Sequence, residues 1–192
     1  MTEIAIATED VLTEVVCERI ADELGLSIFM RLRKGGSGYL KSRISSFIEM
    51  ARQYPVLVVT DLDDKQCAPR LVREWVGEQL VPEQFFLRVA VREVESWIMA
   101  DREKFGDFIG SRIDFDPEQL TDPKAKLLHL ASRAPRSVKE ELISQRSAIA
   151  SQGVGYNTKL SEFVAEQWCP HRASASSDSL RRTVERLSTL IT

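Results

Sequence analysis

The stretch Pro55-Val-Leu-Val-Val-Thr-Asp-Leu-Asp63 decides how this chain folds. Its apolar run shows no polar alternation, which is typical of a strand buried on both faces of a parallel sheet. A strand of this kind needs helices on both sides of the sheet. Acidic residues follow the run directly, at Asp61, Asp63 and Asp64. We therefore expect an α/β fold with these carboxylates at the carboxyl end of a buried strand.

The segments before and after this stretch alternate between strand and helix patterns. Apolar runs predict strands over residues 4–8, 26–33, 56–60 and 85–91. Apolar residues at helical spacing fill the intervals; the first helix ends at Leu24-Gly25 and the third extends to Leu80. We interpret Gly35-Gly-Ser-Gly38 as a loop. This alternation predicts βαβ units and a mainly parallel sheet flanked by helices.

The strand patterns stop beyond Asp101, and helical patterns continue to the end of the sequence. The predicted helices cover residues 124–133, 138–144, 159–168 and 179–191. We expect the last of them to begin at an N-cap formed by Asp178 or Ser179. No flexible linker separates the two parts. We therefore predict an α/β core over residues 1–101 and a helical C-terminal extension over 102–192, packed together as one compact unit.

The amino-acid composition limits the classes of protein to which this chain can belong. The 192 residues are 43% hydrophobic and 29% charged, a balance typical of one globular domain with an appendage. No apolar run approaches the ~20 residues that span a bilayer, and the first ten residues lack the basic region of a signal peptide. We expect a cytoplasmic protein with no membrane association. The cysteines, Cys17, Cys67 and Cys169, are too far apart for a CxxC metal site and are interpreted as reduced thiols.

Charge is distributed unevenly along the chain. Residues 1–122 carry 15 Lys and Arg against 23 Asp and Glu, whereas residues 123–192 carry 11 against 6. The acidic and basic parts could attract each other, or the basic part could bind a polyanion while the acidic part holds metal. Ordinary solvated helix faces would also account for the asymmetry, so composition leaves these interpretations open.

A second strand also ends at an acidic residue, because Glu9 follows the first predicted strand. The carboxyl ends of parallel strands share one edge of the sheet, so Glu9, Asp61, Asp63 and Asp64 are expected to lie near one another. Carboxylates so placed repel and raise one another's pKa unless a cation neutralises them. Oxygen ligands without His or Cys favour Mg²⁺ or Mn²⁺. The alternative is that the three aspartates are turn and helix-capping residues.

Two further groups of charged residues are candidates for substrate binding. Arg92, Glu93 and Glu95 follow the fourth strand, where a site role and a structural ion-pair role are equally open. Lys124 and Lys126 are candidates for binding phosphate. Other cations flank the glycine-rich segment, namely Arg31, Arg33, Lys34 and Lys41. Each of these cations could equally be a solvated surface charge.

A glutamate after the first strand and an Asp-x-Asp motif after a later strand resemble the Toprim fold, the metal-binding catalytic module of topoisomerases, bacterial primases and overcoming-lysogenisation-defect (OLD) nucleases. The chain is more closely similar to the DUF4276 family of bacterial proteins. The stretches that carry this resemblance cover most of the chain: Thr8-Glu-Asp-Val-Leu-Thr-Glu14, Val59-Thr-Asp-Leu-Asp63, Arg88-Val-Ala-Val-Arg-Glu-Val-Glu-Ser-Trp97 with Ala100-Asp101, Asp122-Pro-Lys124, Gly153-Val-Gly-Tyr-Asn157 and Ser177-Asp-Ser-Leu180. Asp10 stands where typical Toprim sequences have glycine.

The resemblance implies a Mg²⁺- or Mn²⁺-dependent nuclease, or a related phosphodiester-cleaving enzyme, that acts on nucleic acid. Glu9, Asp61 and Asp63 would be its catalytic residues, and these three with Asp64 would hold the metal. Toprim nucleases of this kind act as effectors in bacterial defence beside an ATPase. This sequence has no GxxxxGK[ST] motif, so any ATPase would be a separately encoded partner.

Two other functions are compatible with the same residues. The first is a non-catalytic binding or adaptor module with a Toprim-like fold. The second is a haloacid dehalogenase-like phosphatase, whose Asp-x-Asp motif Asp61-Leu-Asp63 resembles. This second alternative is weaker, because in that family the motif normally follows the first strand of the fold. Oligomeric state is left open.

Overall fold

A computed structural model describes residues 2–65, 67–144 and 151–191 of the chain. Within these residues the sheet has four parallel strands in the order β2-β1-β3-β4. The strands are β1 (Glu3–Thr8), β2 (Ser27–Arg33), β3 (Val56–Asp61) and β4 (Phe85–Ala90). The predicted α/β fold with a parallel sheet flanked by helices and a helical C-terminal part is confirmed.

Helices follow each strand and then continue alone to the end of the described chain. Helix α1 follows β1, α2 follows β2, α3 follows β3, and α4 to α10 follow β4. Their bounds are α1 (Val11–Glu23), α2 (Gly36–Met50), α3 (Ala68–Val76), α4 (Val94–Ala100), α5 (Arg102–Ile109), α6 (Pro123–Ala131), α7 (Arg136–Leu142), α8 (Tyr156–Glu166), α9 (Pro170–Ser174) and α10 (Asp178–Ser188). One short 3-10 helix covers Pro117–Gln119.

Alternation along the buried strands creates two hydrophobic cores. In β1, Ile4 and Ile6 face the core that contains α1 and the C-terminal helices, whereas Ala5 and Ala7 face the core that contains α2 and α3. The apolar run of β3 divides in the same way between the two cores. Successive strand residues point to opposite faces, so a fully apolar strand is stable only when both faces are covered.

The ends of several helices differ from the sequence-based predictions. Helix α2 begins at Gly36, so most of the predicted glycine loop is its first turn; Gly35 adopts the left-handed conformation just before it. Helix α3 ends at Val76 rather than near Leu80, because Gly77 follows with a φ of 62°. The N-cap of α10 is Ser177, whose hydroxyl oxygen accepts from the Leu180 N–H at 3.2 Å. These differences reflect capping geometry, which apolar periodicity does not encode.

The C-terminal helices pack directly on the sheet and on α1. Helix α8 lies against α1, and α10 lies against β4. The buried Trp168 side chain donates from Nε1 to the Trp97 carbonyl oxygen at 3.1 Å and so connects α4 to the chain after α8. Among the described residues, no helix is both long enough and apolar enough to cross a membrane.

Candidate functional site

Three neighbouring strands end at one edge of the sheet and bring acidic residues together there. β1 ends at Thr8, β3 at Asp61 and β4 at Ala90, and these strands are adjacent in the sheet. The next residues along the chain therefore emerge side by side. Five carboxylates lie here, and we call them the acidic edge: Glu9, Asp61, Asp63, Glu93 and Glu95.

Glu9 connects the ends of β1 and β3. One of its carboxylate oxygens, Oε1, accepts from the Asp61 N–H at 3.1 Å and from the hydroxyl of the buried Thr60. These bonds favour the ionised form, but burial outweighs them and raises the pKa of Glu9. The negative charges of Asp63 and Asp10 raise it further. Glu9 is therefore a half-buried acid that forms no salt bridge within the described part of the chain.

Asp61 lies at the centre of the acidic edge, at the last residue of β3. Its Oδ1 accepts from the Val94 N–H at 2.9 Å, which joins the end of β3 to the first turn of α4. Burial raises the pKa of Asp61 well above its usual range, and the charge of Glu95 and then that of Glu9 add to the effect. The negative charge of Asp61 is therefore unfavourable in this environment.

The loop after Asp61 is held by backbone contacts with Arg92. Asp63 has a φ of 49°, and its N–H donates to the Arg92 carbonyl at 3.0 Å. The Arg92 guanidinium returns a hydrogen bond from Nη1 to the Asp63 carbonyl at 3.1 Å. Arg92 therefore organises this loop and, among the described residues, forms no ion pair with Glu93.

Asp64 is exposed, like its neighbour Asp63, and its negative charge adds to burial in raising the pKa of Asp63. Asp64 lines a pocket with Lys65 and Arg70. Asp61 and Asp63 line an adjoining pocket of about 120 Å³ beside the first turn of α2, and Lys65 lines both pockets. The structure brings Glu9, Asp61 and Asp63 to one edge, and Asp64 lies next to Asp63 without lining the same pocket.

Glu93 and Glu95 both face the acidic edge. Oε2 of Glu93 accepts from the Lys124 N–H at 2.8 Å, and burial raises the pKa of Glu93 to about 7. Glu95 is buried, accepts from the Tyr156 hydroxyl at 2.8 Å, and has a pKa raised by burial. Glu93 is the N-cap residue of α4 and lies outside its helical repeat, so helix faces do not separate the two acids.

Positive charge also reaches the acidic edge, since Lys65 opposes the rise in the pKa of Asp63. The Lys124 ammonium lies 5.1 Å from the centre of the Tyr156 ring, and its charge lowers the pKa of Glu95. The Lys126 ammonium instead lies 4.6 Å from the centre of the Phe115 ring. Within the described part of the chain, no lysine or arginine forms a salt bridge with any carboxylate of the acidic edge.

The cations near the glycine-rich segment are mostly engaged in ion pairs. Arg31 pairs with Glu18, Arg33 pairs with Glu14 at 3.2 Å, and Lys41 pairs with Glu74. Lys34 is exposed. Lys41 also lines the pocket that contains Asp61 and Asp63. Exposed ion pairs contribute little stability, so these cations can exchange partners when an anion arrives.

The donor chemistry of the acidic edge suits a hard divalent cation, since it consists of carboxylates without His or Cys. The side chains are not already gathered around one point: among residues 2–65, 67–144 and 151–191, no three His, Cys, Asp or Glu side chains form a group that could hold a metal ion. Hydrogen bonds explain part of this separation, because Thr60 holds Glu9 and the Val94 N–H holds Asp61. The residues fit Mg²⁺ or Mn²⁺ by charge and donor type.

Three residues that contribute to the acidic edge were not predicted as site residues. Thr60 holds Glu9, Asp10 adds negative charge, and Tyr156 holds Glu95. Asp10 is the N-cap of α1, a role that its position before the helical pattern could have indicated. The position of Tyr156 has no local signal, since it depends on how α8 packs against the rest of the protein.

Comparisons of this chain with protein-family models, curated proteins and solved structures found no match. The resemblance to the Toprim fold and to the DUF4276 family therefore stays a prediction based on the motifs. The class of protein that the fold and the edge define is an α/β protein with a parallel sheet and a cluster of carboxylates at its carboxyl edge.

Proposed function

We propose that this protein is a divalent-metal-dependent phosphodiester-cleaving enzyme that acts on nucleic acid. One observation carries the proposal: several carboxylates from three strand ends share one edge, with raised pKa values and with no salt bridge to a lysine or arginine among the described residues. Ionised acids in this arrangement repel, and a divalent cation would remove that repulsion. Evolution retains such an unfavourable arrangement more readily at functional sites.

Glu9, Asp61 and Asp63 would hold the cation, with Mg²⁺ or Mn²⁺ as the ion. A bound divalent ion supplies Lewis-acid stabilisation of the attacking and leaving oxygens in phosphodiester cleavage. Glu93, whose pKa is raised to about 7, can hold or release a proton near neutral pH. Its carboxylate is positioned for this role by the N–H of Lys124.

Nucleic acid would need cationic contacts around this negative edge. Lys124 lies beside Glu95, Lys41 lines the pocket with Asp61, and Arg92 supports the loop of Asp63. These side chains belong to α6, α2 and the β4–α4 connection. Their contacts with phosphate oxygens would position a strand without reading its sequence.

The decisive experiment is a cleavage assay on supercoiled plasmid, single-stranded DNA and single-stranded RNA with Mg²⁺ or Mn²⁺. We expect cleavage by the wild-type protein, loss of cleavage with EDTA, and at least a ~100-fold lower rate in Asp61→Asn. Asp114→Asn, an exposed aspartate outside the edge, is the matched control and should cleave normally. Absence of cleavage on all three substrates by the wild type would reject the enzymatic proposal.

A non-catalytic adaptor is the second candidate, and one observation favours it. No group of three potential ligands is already assembled around one point among the described residues. An adaptor would bind nucleic acid with no change on adding Mg²⁺ and with equal affinity in wild type and Asp61→Asn. Calorimetry distinguishes the candidates, because the enzyme proposal requires heat from Mg²⁺ or Mn²⁺ binding that Asp61→Asn abolishes.

The cellular role that follows from the resemblance is an effector in bacterial defence beside a separately encoded ATPase. The chain has no phosphate-cradling GxxxxGK[ST] motif of its own, which supports a division of labour between two proteins. Genes for an ATPase next to the gene for this chain would support the proposal. If no ATPase gene lies nearby and cleavage needs no partner, the proposed ATPase partner is rejected. The proposed cleavage activity is not affected by that result.

A further inference from the structure

A pocket of about 320 Å³ lies along β4, between α3 and α10. β4 is an edge strand of the sheet, so this pocket is bounded by the strand on one side and by the two helices on the others. Its size is at the lower end of the range for small-molecule sites. The side chains of Asp61, Asp63 and Glu9 do not line it.

The two walls of this pocket differ in chemistry. The α3 wall is apolar and consists of Ala68, Pro69 and Val72. The rest of the lining includes two arginines, Arg88 of β4 and Arg182 of α10, and two acids, Glu118 and Asp178. An apolar wall beside arginines suits a ligand that has an apolar part and a negatively charged group.

Arg88 is half-buried and lacks a carboxylate partner in the described part of the chain. Its Nε donates to the Thr183 hydroxyl at 3.3 Å, a long contact with a neutral group. Burial lowers the pKa of Arg88, and the like charges of Arg186 and Arg182 lower it further. An arginine remains charged even so. A charge partly withdrawn from water, with two other arginines acting on it, is unfavourable unless an anion joins it.

The acidic residues of the same pocket are already engaged. Asp178 pairs with Arg182 at 2.8 Å and also with Arg181. Glu118 accepts hydrogen bonds from the hydroxyls of Ser177 and Ser179, both at 2.6 Å. These acids therefore serve the first turn of α10 and leave the remaining donors of Arg88 unused.

We propose that this pocket binds a small organic phosphate or carboxylate, with Arg88 as the anchor for its oxyanion group. The planar guanidinium offers paired N–H groups that match two oxygens of either group, and Arg182 and Arg186 add attraction. The apolar part of the ligand would lie against Pro69 and Val72. This inference does not depend on the proposed function, because it concerns different residues and needs no divalent cation.

Calorimetry with phenyl phosphate, benzoate and inorganic phosphate tests the pocket. The two aromatic ligands share a ring and differ in the charged group, so the tighter one identifies the oxyanion. We expect either of them to bind more tightly than inorganic phosphate, and to bind at least about tenfold more weakly to Arg88→Met. Arg112→Met, an exposed arginine elsewhere, is the matched control, and Asp61→Asn should also bind normally.

Each result of these binding measurements either supports the proposal or overturns it. No binding of either aromatic anion to the wild type at millimolar concentration overturns the proposal, and so does equal affinity in wild type and Arg88→Met. Arg88→Met should fold, with an unchanged or higher midpoint of thermal unfolding, because it removes an unfavourable charge. If it does not fold, Arg88→Lys keeps the charge and loses the paired donors; unchanged affinity in that variant overturns the proposal.

Discussion

Asp101 and Asp61 are both carboxylates withdrawn from solvent, and their surroundings are opposite. Asp101 is 1% exposed and accepts from Arg172 at 3.0 Å and 2.8 Å, and from the Cys169 N–H at 2.9 Å. Asp61 accepts from the Val94 N–H, has acidic neighbours, and forms no salt bridge among the described residues. The negative charge of Asp101 is therefore fully compensated within the fold, whereas the negative charge of Asp61 is not.

This difference separates a structural role from a functional one. A buried carboxylate that holds a fold together brings its own cation and fills its hydrogen-bonding capacity, as Asp101 does with Arg172. Several uncompensated acids at one edge destabilise the fold unless an external cation joins them. Arg88 shows the same contrast with opposite sign, since it is half-buried beside like charges.

The largest effect is expected from removing the compensated acid. Asp101→Ala should lower the free energy of unfolding by about 3 kcal/mol, because it leaves the Arg172 guanidinium and the Cys169 N–H without their acceptor. Urea denaturation measures this. Asp107→Ala removes an exposed acid and is the control, with a change below about 0.5 kcal/mol. A loss below about 1 kcal/mol in Asp101→Ala would contradict the structural role.

Removing Asp61, the uncompensated acid, should change the free energy of unfolding in the opposite direction. In EDTA at pH 8, Asp61→Asn should raise the free energy of unfolding by about 2 kcal/mol, because it removes a partly buried negative charge among other acids. The asparagine oxygen can still accept from the Val94 N–H. Mg²⁺ should then stabilise the wild type in thermal unfolding but not the variant. A destabilised Asp61→Asn would instead assign the aspartate to a structural capping role.

The pH dependence of stability should reveal Glu93. Its pKa is raised from 4.5 to about 7 in the folded protein, so the stability it contributes is complete below pH 4.5 and is lost as the pH rises through about 7. Because the group is half-exposed, we expect a loss of about 1.5 kcal/mol between these limits. Urea denaturation in EDTA should show this decline in wild type and a flatter curve in Glu93→Gln. Parallel curves would show that Glu93 does not titrate in this range.

A smaller effect is expected from the hydroxyl that holds Glu95. Tyr156→Phe should lower the free energy of unfolding by about 1 kcal/mol, because it removes one buried hydrogen bond. The substitution should also raise the pKa of Glu95 further, so the loss of unfolding free energy should be larger at pH 8 than at pH 5. Tyr54→Phe, at an exposed tyrosine, is the control. A pH-independent loss would show that Glu95 stays protonated in both variants.

The smallest effect on stability is expected from Lys124 and Lys126, the two lysines of α6. Lys124→Ala/Lys126→Ala should change the free energy of unfolding by less than about 0.5 kcal/mol. The same variant should weaken binding of a labelled oligonucleotide, with a salt dependence shallower by about two counterions. Fluorescence anisotropy at several salt concentrations measures this, with Lys139→Ala as the control. An unchanged slope would place both lysines in the solvated surface.

Local patterns predicted most of the elements of this fold. The apolar run of β3 and the apolar spacing in α1 indicated buried strands and amphipathic helices, and the structure has both. Two short helices, α5 and α9, were not predicted. Further errors lie at helix ends, at Gly36, Val76 and Ser177, where a single backbone conformation or cap decides the boundary. Such features depend on one or two residues and leave no periodic signal.

The sequence by itself determined that Glu9 and Asp61 would meet, because parallel strands end at a common edge and acids follow two of them. Only the tertiary structure decided that Glu95 meets Tyr156 and that Asp101 meets Arg172. These partners lie far apart along the chain and are joined by helix packing, which depends on the shapes of whole helix faces. The compensation of a buried charge is therefore a property of the packed molecule, whereas the position of an acid at a strand end is a property of the chain.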